Sequence, residues 1–286
     1  MQTCYRHPDR ETGVSCSNCG RPICTDCMTA TSVGMRCPEC AKDRTQVRTV
    51  RSLTTDPTAT YVLIAINVLA AIGSGALFGR GGRTQAFVDL ALIGEAFGPD
   101  GPIGVAHGEY WRLITGGFLH SGIIHLAFNM WILLFLGREL EPALGRARFL
   151  ALYFTSLLAG SAGALLLQPR AVTVGASGAV FGLMGAAFVL YRARGIDPMQ
   201  AGIGPMILLN LAITFLIPNI SIGGHIGGLI GGAVAALVME RLAGRSRSVW
   251  VPVAACASIG VVAVVAGIAA ASRGGTGLAL LLALPG

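Results

Sequence analysis

Seven apolar runs, at about residues 59–78, 122–138, 149–167, 177–191, 203–217, 222–240 and 250–271, leave this chain few ways to fold. A helix that crosses a bilayer needs roughly 20 apolar residues, with a range of about 17 to 25. Hydrophobic residues make up 53% of the chain and charged residues 12%, against roughly 25% charged in soluble domains. The 40 glycines fit the same reading, because glycine is commoner in membrane helices than in soluble ones. The expected fold class is an all-α polytopic membrane protein with seven spans. The fourth and fifth runs are short, as helices are when they begin or end inside a water-filled cavity.

Lysine and arginine set the orientation, since they collect on the cytoplasmic side. Lys42, Arg44, Arg48 and Arg51 precede the first run, Arg138, Arg146 and Arg148 lie between the second and third, Arg192 and Arg194 between the fourth and fifth, and Arg241, Arg245 and Arg247 between the sixth and seventh. Arg80, Arg83, Arg112, Arg170 and Arg273 fall on the other side. The N-terminus is therefore expected in the cytoplasm and the C-terminus outside, in a multi-pass protein of the cell membrane. Residues 1–57 are polar, so no cleavable signal is expected and the first apolar run acts as its own insertion signal. The net charge of +7 is spread among loops with few aromatics, so no nucleic-acid partner is expected.

Seven of the eight cysteines fall before residue 41. Cys4 with His7, Cys16 with Cys19, Cys24 with Cys27 and Cys37 with Cys40 form four pairs, each separated by two residues. One tight turn brings such a pair to the same metal, so four pairs supply two tetrahedral Zn²⁺ ions. Thiolates and an imidazole favour zinc over calcium or magnesium. An odd number of cysteines argues against a disulfide knot. A segment this small cannot fold on a hydrophobic core, so the metal is expected to supply the folding energy. The pattern resembles the B-box and related cross-braced zinc fingers. That resemblance implies that Cys4, His7, Cys24 and Cys27 share one ion and Cys16, Cys19, Cys37 and Cys40 the other, although many B-boxes end in histidines where this chain has cysteines. Such a head would be closed and structural, and could dock a cytoplasmic protein. Cys256 stands alone in the last run and reads as a small buried hydrophobe.

The external loop, 79–121, is far too long for a plain connection, and its Tyr110-Trp111-Arg112 cluster suits an element lying among headgroups. Trp111 and Arg112 could equally be a simple interfacial anchor. Residues 274–286 are too short to span.

Polar residues at apolar depth need partners or work. Ser177 opens the fourth run between Gly175 and Gly178, where amide hydrogens of a helix start point at developing negative charge. Ordinary helices also begin on a serine that caps them. His225 opens the sixth run on the same side, and a neutral imidazole is the base a serine needs. Gly224, Gly228 and Gly232, facing Gly178, Gly182 and Gly185, form small-residue stripes that let two helices approach closely. On the second run His125 and Asn129 share a face, and both can donate toward an oxyanion; His120 lies just before them. No acid occurs between Glu141 and Asp197, so a Ser/His dyad without a carboxylate is the only version allowed. The same absence argues against a proton-coupled transporter.

Together these residues resemble the rhomboid family of intramembrane serine proteases, over roughly 58–245. The resemblance implies a six-helix bundle plus one C-terminal helix, with Ser177 as nucleophile and His225 as its base. It implies an oxyanion hole from Asn129, His125 and the Ser177 amide beside Gly175, with His120, Trp111 and Arg112 in support and Phe181 stacked under His225. The domain organisation expected is a zinc head at 1–41, a basic linker at 42–57, the protease core at 58–245, and a seventh span with a short tail at 246–286. The expected function is an endopeptidase that cleaves transmembrane-anchored substrates near the external face of the bilayer, with no cofactor for catalysis. Two other readings remain open: a rhomboid-like protein that binds membrane clients without cutting them, and a zinc-finger scaffold on a passive anchor.

Overall fold

The structure, a computed structural model, describes residues 2–31, 34–42, 56–78, 84–98, 101–243, 245 and 248–273. The chain divides into two compact units, residues 1–54 and 55–286. Most of the expected basic linker and the whole tail after Arg273 lie outside the described residues.

In the first unit two short antiparallel pairs, β1 (Gln2–Thr3) with β2 (Glu11–Thr12) and β3 (Thr29–Thr31) with β4 (Gly34–Arg36), precede the single-turn helix α1 (Pro38–Lys42). Its buried apolar cluster is Ile23 and cysteines, with Tyr5 and Met28 packed alongside. One buried isoleucine cannot offset the conformational entropy of ordering some forty residues. The fold of this unit must rest on its cysteines.

The second unit is helical. It runs through α2 (Thr58–Gly73), the short α3 (Gln85–Leu90), strands β5 (Ala96–Gly98) and β6 (Gly101–Ile103), and the short α4 (Arg112–Thr115). Six longer helices follow: α5 (Ile123–Leu144), α6 (Arg146–Leu167), α7 (Ser177–Ala193), α8 (Ile203–Leu216), α9 (Ile222–Ala243) and α10 (Trp250–Ser272). Every apolar run forms a helix. Among the described residues α5, α6, α9 and α10 are long and apolar enough to cross a membrane; α2, α7 and α8 are shorter apolar helices.

The most extensive packing in the molecule is of α9 against α7 and α6, and it is made by backbone. A Cβ on Gly228 or Gly232 would strike the carbonyl of Gly178 or Gly182, while Gly223 and Gly227 press on Gly163 and Ala159 of α6. The doublets Gly227-Gly228 and Gly231-Gly232 thus give α9 two adjacent small-residue stripes, one for each neighbour. Only the stripe facing α7 was expected from the sequence. Helix α10 packs on α6, where the Thr155 hydroxyl donates to the Cys256 carbonyl at 2.9 Å.

Helix α2 departs from expectation by ending at Gly73 rather than near residue 78, because Gly75 takes a left-handed φ of 72° and the chain turns there. Helix α5 runs past residue 138 to Leu144 because Glu141 faces inward. Its Oε1 accepts the Ala59 N–H and its Oε2 the Thr60 N–H and hydroxyl, each at 2.8 Å. A helix start leaves four amide hydrogens unpaired. Pro57 offers α2 no side-chain cap, so a carboxylate from another helix does the capping. One turn earlier, Gly137 leaves room for the Thr60 side chain.

The described part of the 79–121 segment, residues 84–98 and 101–121, is built around Arg112, which is 1% exposed. Its Nη1 donates to the carbonyls of Val88 and Ala91 at 2.6 and 2.9 Å, and its Nε to Glu109 Oε2 at 2.7 Å. Trp111 donates from Nε1 to the Asp89 carbonyl at 3.1 Å and is 50% exposed. Of the expected anchor pair, then, the arginine is an internal clasp and the indole alone meets the surroundings. Backbone bonds between Leu92 and Thr173, and from the Gly175 amide to the Gly116 carbonyl, tie this loop to the turn that precedes α7.

Candidate active site

Gly175 prepares the turn into α7. Its φ of 122° belongs to glycine, and a Cβ there would lie 2.7 Å from Nε2 and Cε1 of His125 and 3.6 Å from Ser177 Oγ. The His125 ring thus occupies the space that a side chain at residue 175 would need, next to the Ser177 hydroxyl. Ser177 is the first residue of α7. Its hydroxyl forms no hydrogen bond with another described residue, so it does not serve the ordinary capping role of a serine at a helix start. A small cavity reaches it, lined by Ser161, Thr173, Gly175 and Ser221 among others.

His225 lies on α9 where that helix is pressed against α7. Its ring stacks on Phe181, one turn after Ser177, with centroids 4.1 Å apart and planes inclined by 17°. Its Nδ1 is 2.7 Å from the Thr214 hydroxyl of α8, and that hydroxyl also donates to the Asn210 carbonyl at 2.7 Å. Ser221, ahead of α9, accepts the Gly224 amide hydrogen at 3.1 Å and so caps the helix that carries the histidine. Neither Thr214 nor Ser221 was expected to matter. Ser221 had a readable signal, a serine three residues before a helical doublet; Thr214 had none short of the helix crossing.

The remaining site residues cluster less simply. His125 Nδ1 is 3.1 Å from the Ser121 hydroxyl. His120 is fully buried, edge-on to His125 at 5.0 Å, and neither of its ring nitrogens finds a partner among the described residues. Asn129 is buried, but its Nδ2 donates to the His125 carbonyl of its own helix at 3.0 Å. One of its two amide hydrogens is thus committed to α5, and the other has no protein acceptor among the described residues.

In the first unit Cys4, His7, Cys24 and Cys27 bring their donor atoms within 4.8 Å of one another, and so do Cys16, Cys19, Cys37 and Cys40. His7 Nδ1 is 3.3, 3.4 and 3.9 Å from the sulfurs of Cys24, Cys27 and Cys4, and Cys19 and Cys37 are 3.8 Å apart. A tetrahedral ion bonded at about 2.3 Å to sulfur and 2.0–2.1 Å to nitrogen holds its ligands roughly 3.5–3.8 Å apart, so each cluster could hold one metal ion. The Cys16 thiol is drawn down to about 6, chiefly by the backbone N–H groups of Cys19 and Cys37 and against its burial. Ligand sulfur must be deprotonated to bind, and this backbone favours that form.

Residues 107–242 match the family described as Rhomboid domain. Rhomboid protease GluP of Bacillus subtilis (strain 168) is 37% identical over 188 residues, covering 64% of this chain and 35% of that protein. Rhomboid-like protease 1 of Toxoplasma gondii is 33% identical over 187 residues, 60% of this chain and 63% of that protein. RHOMBOID-like protein 5 of Arabidopsis thaliana is 39% identical over 132 residues, 43% of this chain and 42% of that protein. The chain thus spans between about a third and two thirds of the length of these relatives. The matched residues hold Arg112, His125, Asn129, Ser177 and His225 and exclude the cysteine-rich head and α10. Its apolar helices and this match make the chain a multi-pass membrane protein in which residues 107–242 are similar to the rhomboid family.

Proposed function

We propose that this chain is an intramembrane serine endopeptidase that cuts membrane-anchored proteins. The observation that carries the reading is the uncommitted Ser177 hydroxyl at the head of α7, one turn from the Phe181 ring on which His225 lies. Ser177 Oγ attacks the scissile carbonyl while His225 takes its proton, and His225 then returns a proton to the leaving amine. The negative oxygen of the tetrahedral intermediate lodges beside Gly175, receiving hydrogens from the Ser177 amide, His125 and Asn129. Water must then hydrolyse the acyl-enzyme, so the site opens to the aqueous side. A helical substrate hides its carbonyls in its own hydrogen bonds, so the cut falls where the helix unwinds readily, at small or helix-breaking residues.

The distribution of lysine and arginine supports a cytoplasmic N-terminus and cleavage near the external face. The protease core is residues 58–245, with the seventh span and tail after it. The head, residues 1–41, holds two Zn²⁺ ions. Each cluster offers four protein ligands and no open position, the arrangement of structural zinc, and a cytoplasmic protein is the partner such a head would dock.

The test is cleavage of a single-span substrate by the purified protein in lipid vesicles, beside Ser177→Ala, with fluorophosphonate labelling of both. Wild type cuts and is labelled, and the variant does neither. A wild-type protein that is neither labelled nor cuts any substrate would favour a client-binding role instead.

A further inference from the structure

We propose that Thr214 is a positioning residue that fixes the tautomer of His225, holding the ring proton on Nδ1 and leaving Nε2 as the lone-pair nitrogen. The inference rests on the reading of Ser177 and His225 as nucleophile and base, and it follows from counting protons. The Thr214 hydroxyl is 2.7 Å from the Asn210 carbonyl oxygen and 2.7 Å from His225 Nδ1. A carbonyl oxygen only accepts, and a hydroxyl has one hydrogen to give. That hydrogen goes to Asn210, the usual back-bond of a helical threonine to the carbonyl four residues earlier. The hydroxyl can then meet Nδ1 only as an acceptor, so Nδ1 carries the hydrogen. The opposite assignment would press two lone-pair oxygens together at 2.7 Å in a buried site.

The device answers a gap in the sequence. A serine–histidine pair usually has a carboxylate that holds the imidazole in the productive tautomer, and no acid occurs between Glu141 and Asp197. Here a neutral hydroxyl on α8, 2% exposed, takes that place, with its own proton locked by the helix. Phe181 fixes the plane of the ring and Thr214 its protonation, so His225 is held by two helices other than its own. A hydroxyl lacks the charge to stabilise an imidazolium as a carboxylate does. Its contribution lies in the ground-state tautomer, because an unconstrained neutral imidazole favours the hydrogen on Nε2, where it would block proton uptake from serine.

The test uses the full-length protein in lipid vesicles and three variants. A general base contributes about 10²–10⁴-fold, so Thr214→Val, which keeps the shape and removes the hydroxyl, is expected to lower kcat about tenfold or more with KM within twofold. Thr214→Ser restores kcat to near wild type. With ¹⁵N-labelled histidine, the His225 signals, identified by their loss in His225→Ala, show a protonated Nδ1 in wild type and in Thr214→Ser. They shift toward a protonated Nε2 in Thr214→Val. Wild-type kcat and an unchanged ring pattern in Thr214→Val overturn the proposal. So does a Thr214→Ser variant as slow as Thr214→Val, since shape and not the hydroxyl would then matter. Ser177→Ala is run alongside: if it still cleaves, the protease reading fails while the ring spectra still decide the tautomer.

Discussion

The imidazole of His225 lies almost flat on the ring of Phe181, 4.1 Å between centroids, although the two residues belong to different helices. Phe181 is one turn from Ser177, so the same helix presents the proposed nucleophile and the platform on which its proposed base rests. Replacing Phe181 with Leu keeps an apolar side chain and removes the flat face. Substrate cleavage by Phe181→Leu is expected to fall about tenfold or more, as misplacing a reacting group can cost up to about a hundredfold, while Phe181→Tyr stays within a few-fold of wild type. Equal rates for the leucine and wild-type proteins would remove the platform from the argument.

Close approach of α7 and α9 depends on Gly228, whose Cβ position is taken by the Gly178 carbonyl. Gly228→Ala is expected to push the helices apart at a cost of about 1–3 kcal/mol, lowering Tm in detergent together with activity. Gly73→Ala is the matched control, since nothing lies within 4 Å of the added methyl, and alanine gains up to about 1 kcal/mol over glycine in a helix.

Glu141 accepts three hydrogen bonds from the start of α2. Glu141→Gln presents an NH₂ group to donors and leaves at least one buried hydrogen unpaired, at about 1–3 kcal/mol. Thermal unfolding checks it against the exposed neighbour, as Glu139→Gln, which should leave Tm unchanged.

Metal analysis of the purified protein should find two zinc ions per chain. Cys24→Ser and Cys37→Ser should each lose one, and a strong chelator should expose residues 1–41 to protease while the membrane unit keeps its Tm. Full zinc content in both variants would sink the two-site assignment.

Burial alone would raise the Glu109 carboxyl, but the Arg112 guanidinium and the Gly104 N–H overcome it and hold the group below the ordinary glutamate value. A lowered folded value gives stability that is present above the unfolded pKa and lost as pH falls through the folded one. The 79–121 loop should therefore resist protease at neutral pH and open only below about 4, the ordinary range for glutamate. Glu109→Gln should be cut at neutral pH; equal resistance in both would show that the clasp does not hold the loop.

All seven apolar helices were legible as apolar runs, and among the described residues α5, α6, α9 and α10 have the length that a bilayer selects. Their ends were less so. The charges Arg138, Glu139 and Glu141 read as the end of a span, yet α5 continues because Glu141 is turned inward to cap α2. That partner lies 82 positions away, beyond any local pattern. The stripe of Gly224, Gly228 and Gly232 was readable from its period of four, and its companion, Gly223, Gly227 and Gly231, has the same period within the same doublets. Thr214 could not have been found by period or motif, because a threonine in a helix is ordinary until the crossing of α8 with α9 sets it against a ring nitrogen. Asn129 read as a free donor; its bond to its own helix depends on a rotamer, which no sequence discloses.

Helix α9 meets two neighbours through bare main chain, and main chain has no rotamers with which to accommodate a change. Drift in sequence must accordingly be absorbed elsewhere, on the outward faces of α8 and α10, where Leu208, Leu216, Val261 and Val262 stand exposed and one aliphatic residue serves as well as another. A collection of natural variants of this chain would then be silent along the doublets of α9 and varied along those two flanks.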